Sequence, residues 1–288
     1  MLPRPHSPHA RGPSASLYQP GLDRICDLLD QELRQFASGG GKRFRIRAGR
    51  GGLDQTAGLL AGEIDLAVVT PTSALRLLHQ FGDLQELSGL GVIPRPGSLV
   101  VTTDAALPVG AVTDLATCGR RVTVATGADD GVSLLGFAAH RALRLAGVGT
   151  AHVDFVYDEH PWARFAEGQA DVVIHDSMWQ SPASTRPVKY LAWGERVLHA
   201  FNRQGWATHT LHRGQLPGLH EDLGALDFSD FAVLCRADLD DEIARRTAWF
   251  LLRQHALTEA ELTPLPLHPG AARAYAAFTS DNAPTEIR

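Results

Sequence analysis

The sequence predicts an α/β fold of two similar lobes with a ligand cleft between them, and three observations carry that expectation. Residues 65–69 end in four consecutive apolar side chains, Leu66 to Val69, which suits a parallel strand covered on both faces. A second buried run, 171–174 (DVVI), follows the frame Glu167-Gly168-Gln169-Ala170-Asp171, an echo of the Gly62-Glu63-Ile64-Asp65 turn ahead of the first. The length of 288 residues allows one or two domains with a sizeable core. In open α/β sheets ligands sit beyond the carboxyl ends of strands, here the loops Thr70-Pro71-Thr72 and His175-Asp176-Ser177.

Taken in order, the chain starts MLPRPHSPHARGPSA, with three prolines in its first eight residues and no apolar segment of the secretory kind. That start predicts residence in the cytoplasm, unless the true start lies upstream. A helix is expected over 22–36, from Ile25, Leu28, Leu29 and Leu33 at helical spacing. The glycine-rich 38–42 (SGGGK) follows a helix and precedes a strand at 44–48, the reverse of phosphate-loop order, and no Ser or Thr follows its Lys. Next come a glycine turn, a short helix ending near Gly62, and the strand 65–69. A second apolar strand at 97–102 follows Pro94 and Pro96 and is read as the approach to a first crossover near 100–103. The second lobe then offers a strand at 121–125, the loop 126–131, a helix at 132–146, a strand beginning at 155, a helix at 161–169 and the strand 171–174. The stretch 202–227 reads as irregular. A second crossover is expected in 230–235, followed by a helix over 240–255. Residues 12–102 and 230–280 thus make lobe one and 103–229 lobe two, with 1–11 and 281–288 as tails.

Composition narrows the function. Hydrophobic residues make up 44% and charged residues 20%, an ordinary balance for a soluble globular protein. The net charge of −5 argues against a general nucleic-acid binder, which needs a basic footprint. The longest apolar runs fall well short of a membrane span. The three cysteines, Cys26, Cys118 and Cys235, stand far apart with no Cys or His at ligand spacing, so neither a disulfide framework nor a zinc site is indicated. Cys235 ends an apolar run and reads as a small buried hydrophobe. No metal and no cofactor is expected: Gly89-Leu90-Gly91 lacks the third glycine of a dinucleotide fingerprint. The histidine pairs around His209, His212 and His220 are what thirteen scattered histidines produce by chance.

Several motifs together resemble the TAXI family, the binding proteins of tripartite TRAP transporters, which have the type II periplasmic-binding-protein fold. They are Gly12-Pro13 followed by small residues and Tyr18, the glycine turn and helix before Gly62-Glu63-Ile64-Asp65, and the ending Leu267-His268-Pro269-Gly270-Ala271 with Tyr275. The resemblance spans nearly all of 12–278. It implies a two-lobe fold, a small ligand held between the lobes, and a TRAP membrane subunit as partner. Carried over residue by residue, lobe one would offer Ser16, Tyr18, Arg50, Gly52, Gln55, Thr70 and Thr72, and lobe two Asp129, Asp130, His175, Asp176 and Ser177. Gly52 and Gln55 stand where the family has Ser and Asn. Where the family has Gly-Ser-Gly-Thr at a helix start, this chain has Asp129 and Asp130, one of which would serve as helix N-cap and the other of which would disfavour an anion there.

Two functional classes follow. In the first, the cleft binds a small acidic or zwitterionic ligand, its carboxylate at Arg50 through paired hydrogen bonds and its amine or hydroxyl at Asp129 or Asp176. In the second, the fold serves a cytoplasmic enzyme, a lyase, decarboxylase or isomerase, with His175 and Asp176 moving a proton. Adjacent residues on a strand point opposite ways, which stands against the second. Arg50 and the aspartates are equally open to a plain reading as a solvated side chain and helix caps.

Overall fold

The computed structural model describes residues 14–16, 24, 27–29, 31–32, 34–35, 45–47, 51–81, 84–128, 131–158, 161–179, 187–254, 256–258 and 265–281. In chain order the first lobe has β1 (Ser14–Ser16), helical backbone at the described positions between 24 and 35, β2 (Arg45–Arg47), α1 (Gly52–Leu60), β3 (Leu66–Val69), α2 (Ala74–Phe81) and β4 (Leu87–Ile93). The second lobe has β5 (Ser98–Asp104), β6 (Val122–Thr126), α3 (Leu134–Leu145), β7 (Val153–Tyr157), α4 (Pro161–Ala166), β8 (Val172–Asp176), β9 (Val188–Tyr190), α5 (Glu195–Arg203), β10 (Thr208–Leu211) and β11 (Leu223–Asp227). The chain then returns with β12 (Phe231–Arg236), α6 (Asp241–Arg253) and α7 (Pro269–Asp281).

Two separate sheets result, in the orders β2-β1-β3-β12-β4 and β10-β11-β5-β8-β6-β7, with β9 also paired to β5. They share one plan. In the first, β1 runs parallel to β2 and β3, and β12 enters antiparallel to β3. In the second, β6 runs parallel to β7 and β8, and β5 enters antiparallel to β8. Each antiparallel strand is the one that has just crossed from the other lobe. The two-lobe expectation therefore holds, and its physical reason is visible in β3, whose four residues are all buried because helices cover both faces.

The first crossover needs correction. It lies at 94–97, not near 100–103: Leu99 to Thr103 already pair with β8 of the second sheet, so the strand placed at the end of lobe one opens lobe two. Pro94 and Pro96 have no N–H to give a ladder, and they end β4 where the chain leaves the first sheet. The return is made at 228–230, and Phe231 onward is already paired in the first sheet. The stretch 202–227 is not irregular either, since β10 and β11 form an antiparallel pair there.

The terminal motif is a packing device. The buried His268 has its Nε2 at 3.1 Å from the Leu239 carbonyl and its Nδ1 accepting from the Gly270 N–H at 3.1 Å. Pro269 opens α7, where a missing N–H costs nothing. Gly270 lets α7 meet α6: a Cβ there would lie 2.3 Å from the Asp241 carbonyl oxygen. Tyr275 donates to the Thr258 carbonyl at 2.9 Å. Cys235 is fully buried, and burial pushes its thiol up to about 12, so it is the inert hydrophobe its setting suggested.

Candidate functional site: the cleft between the lobes

The cleft is built where the carboxyl ends of β3, β6 and β8 and the starts of α1 and α3 meet the two crossovers. The helix starts are in direct contact. The Asp54 N–H donates to the Val132 carbonyl at 3.2 Å. A Cβ on Gly51 would lie 2.6 Å from that same oxygen, and one on Gly52 would lie 2.7 Å from Leu134 Cδ1 and 3.3 Å from Val69 Cγ1. Leu134, 2% exposed, therefore reaches across from lobe two and covers Gly52. Gln55 is fully buried in lobe one. The start of α3 is capped by Ser133, whose Oγ accepts from the Gly136 N–H at 2.8 Å and donates to the Ala128 carbonyl at 2.8 Å. The expected aspartate cap is thus replaced by serine.

At the end of β3, Thr70 Oγ1 donates to the Asp230 carbonyl at 3.0 Å and Ser73 Oγ to the Asp227 carbonyl at 3.1 Å. Thr70 thereby ties lobe one to the second crossover, and Thr72, half-buried, follows it in the same loop. The crossovers are stitched to each other: the Phe228 N–H donates to the Gly97 carbonyl at 3.1 Å and the Asp230 N–H to the Arg95 carbonyl at 2.8 Å. The Arg95 N–H in turn donates to Asp230 Oδ1 at 2.9 Å. Asp230 itself adopts a left-handed backbone at φ 60°, which Asp tolerates better than most residues.

Lobe two supplies two polar groups of unusual setting. Thr126, the last residue of β6, is completely buried, and its hydroxyl has no hydrogen-bond partner among the described residues. It shares a sheet face with Val122 and Val124, the face that packs under α3. Asp176, the last residue of β8, is 3% exposed. Its Oδ1 accepts from the Met178 N–H at 3.1 Å. Burial pushes its carboxyl up to about 7, against the pull of the Met178 and Ser98 N–H groups, and the nearby Asp227 carboxylate adds to the rise.

His175 does not join Asp176. It points to the opposite face of the sheet, edge-on to Trp162 at 4.9 Å between ring centres. Its Nε2 lies 3.0 Å from Thr102 Oγ1 and its Nδ1 2.8 Å from the Asp176 carbonyl oxygen. That carbonyl can only accept, so Nδ1 carries the proton and the Thr102 hydroxyl donates to Nε2. Burial depresses its pKa to about 4. Both nitrogens are committed, the ring is neutral, and it faces away from the cleft, so the expected His175–Asp176 proton pair is not formed and His175 is a core residue. The alternation of side chains along β8 is what separates the two.

Of the other expected site residues, the Ser177 hydroxyl accepts from the Ser98 N–H at 3.0 Å and so ties the end of β8 to the first crossover. Ser16 is described as backbone of β1. Tyr18, Arg50, Asp129 and Asp130 lie outside the described residues. Sequence reasoning missed Thr126, Leu134, Gly97 and Asp227. Thr126 could have been found by the rule that pointed to Thr70, since it ends a buried strand. Among the described residues, no group of three or more His, Cys, Asp or Glu could hold a metal ion, and no helix is long and apolar enough to cross a membrane.

No protein-family model matches the sequence, and no curated protein matches it. Solved structures do. PhnD1 from Prochlorococcus marinus, in complex with methylphosphonate, is similar with a TM-score of 0.54 at 11% identity, over 94% of this chain and 98% of that one. XAC2383 from Xanthomonas citri, bound to chloride ion, is similar with a TM-score of 0.52 at 13% identity, over 93% and 96%. The glycine betaine, L-proline-binding protein ProX from Borrelia burgdorferi is similar with a TM-score of 0.51 at 12% identity, over 94% of each. The fold is that of the type II periplasmic binding proteins. The shared sheet plan of the two lobes and the paired crossovers are this fold's two halves and the connections between them. At such identities the likeness is one of fold alone.

Proposed function

We propose that the chain is a solute-binding protein of the TAXI type that holds one small polar ligand between its lobes, a carboxylic or amino acid, the ligand class expected from Arg50 and Asp176 in the sequence. The observation that carries this reading is Thr126. A buried hydroxyl with no partner among the described residues costs stability, and such a local cost at the carboxyl end of a strand is what a site kept for a ligand looks like. Asp176, on the same face of the same sheet, supports a ligand with an amine or another hydrogen-bond donor. The three similar structures above, described with methylphosphonate, with chloride, and as a betaine- and proline-binding protein, agree with a small polar ligand. A TRAP membrane subunit is the partner that the sequence resemblance adds.

The test is calorimetric titration of mono- and dicarboxylates and amino acids into wild type and Thr126→Val. The variant removes a hydroxyl and keeps the shape. It should raise the stability of the protein by about 1 kcal/mol, the low end for relieving an unsatisfied buried group, and weaken the bound acid roughly tenfold, about 1.4 kcal/mol. A Thr126→Val protein that is less stable and binds as tightly as wild type would remove the argument. Following the same mixtures by NMR checks the enzyme alternative: loss of a bound acid over time would mean turnover.

A further inference from the structure

We propose that the hinge between the lobes opens when Asp176 ionises, so that the separation of the lobes follows pH. The geometry places this carboxyl under both crossovers at once. A Cβ on Gly97 would lie 3.2 Å from Asp176 Oδ1 and 2.4 Å from the Phe228 carbonyl oxygen. The first crossover, the second crossover and the end of β8 therefore meet at Asp176. The stitches Phe228 N–H to Gly97 and Asp230 N–H to Arg95 hold the crossovers over it and keep water away.

The charged and titratable groups around it favour the acid form. Asp227, at the end of β11, bears on it with a like charge. In the crossovers, Asp230 and Arg95 bond to each other's backbone. On β8, His175 is neutral and turned to the other face. On β10, His209 reaches Ser98 Oγ at 2.8 Å, on the far side of β5 from the inner core. Among the described residues no cation pairs with Asp176. Its ionised form is met by the Met178 and Ser98 N–H groups and opposed by burial and by Asp227, whereas water would stabilise it fully. Water reaches it when the crossovers part, and those crossovers are the segments that a two-lobe hinge moves. The proton on Asp176 and the closed hinge thus stabilise each other, which makes protonation and closure reciprocally linked.

The experiment needs no ligand, so it stands or falls separately from the proposed binding role. Small-angle scattering at constant ionic strength, from about pH 4 to about pH 8.5, spans the window between the ordinary and the buried titration of Asp176. Wild type should show a larger radius of gyration at the upper end, with the expansion complete by about 7. Asp176→Asn should stay compact throughout. Asp227→Asn removes a charge that disfavours ionisation, so its expansion should be complete at lower pH. A flat wild-type profile overturns the proposal, and so does a wild-type-like transition in Asp176→Asn. Should Asp176→Asn fail to fold, Asp227→Asn decides alone, an expansion that is complete at the same pH as in wild type counting against the proposal.

Discussion

Alanine at Gly97 is expected to destabilise the protein by about 2–4 kcal/mol. The added Cβ would sit 2.4 Å from the Phe228 carbonyl oxygen and 2.9 Å from its carbon, and a backbone cannot swing aside as a side-chain tip can. Overpacking of this kind costs about 1–3 kcal/mol. Parting the crossovers also gives up the Phe228 N–H to Gly97 bond, about 1 kcal/mol. Gly119→Ala is the comparison. It has φ +81° with nothing within 4 Å, so its cost is the conformational one alone, about 1–2 kcal/mol. Urea unfolding of both variants checks the difference. Equal losses would mean that the crossovers do not bear on each other as tightly as the geometry requires.

Much of this fold was legible because its strands are apolar on both faces. Leu66–Val69, Val122–Thr126, Val172–Asp176 and Phe231–Arg236 are short runs between turns, and burial on two sides leaves them no polar alternation to hide in. β4 escaped notice although it is fully buried. Its Gly89 and Gly91 break the apolar run, and Gly91 is there because Tyr275 Oη would stand 2.1 Å from a Cβ, a contact no local pattern announces. β10 and β11 escaped for a related reason: Thr208–Leu211 is largely exposed at the sheet edge and carries little hydrophobic signal. The site was legible only in part. Position in the strand pointed to Thr70, Asp176 and Ser177, which lie where the ends of β3 and β8 meet the crossovers. Leu134 over Gly52 was out of reach, because that contact joins residues of different lobes, and so was the commitment of Thr70 to the Asp230 carbonyl.

His175 and Asp176 are expected to impose opposite pH slopes on stability, and single variants should unmask them. For His175 the folded pKa, about 4, lies below the ordinary 6.5. Between those values the unfolded chain binds more protons, so stability is full above 6.5 and is lost as pH falls toward 4. Asp176 behaves the other way. Its folded pKa, about 7, lies above the ordinary 3.8, so its contribution is full at low pH and is lost as pH rises through 7. At 1.36 kcal/mol per unit, the two amount to about 3 and about 4 kcal/mol, and in wild type they nearly cancel across the window they share. Asp176→Asn should leave the histidine slope, with stability rising from about pH 4 to about pH 6.5 and exceeding wild type by a few kcal/mol at about pH 8. His175→Gln should leave the aspartate slope, with stability falling over the same range. Urea melts at a series of pH values read both, and profiles parallel to wild type in both variants would show that neither group titrates as its burial dictates. The hinge adds a refinement. If ionisation opens the crossovers and hydrates Asp176, the carboxylate escapes part of its burial. The falling limb in His175→Gln should then flatten before it reaches about pH 7, in the same window where the scattering profile expands.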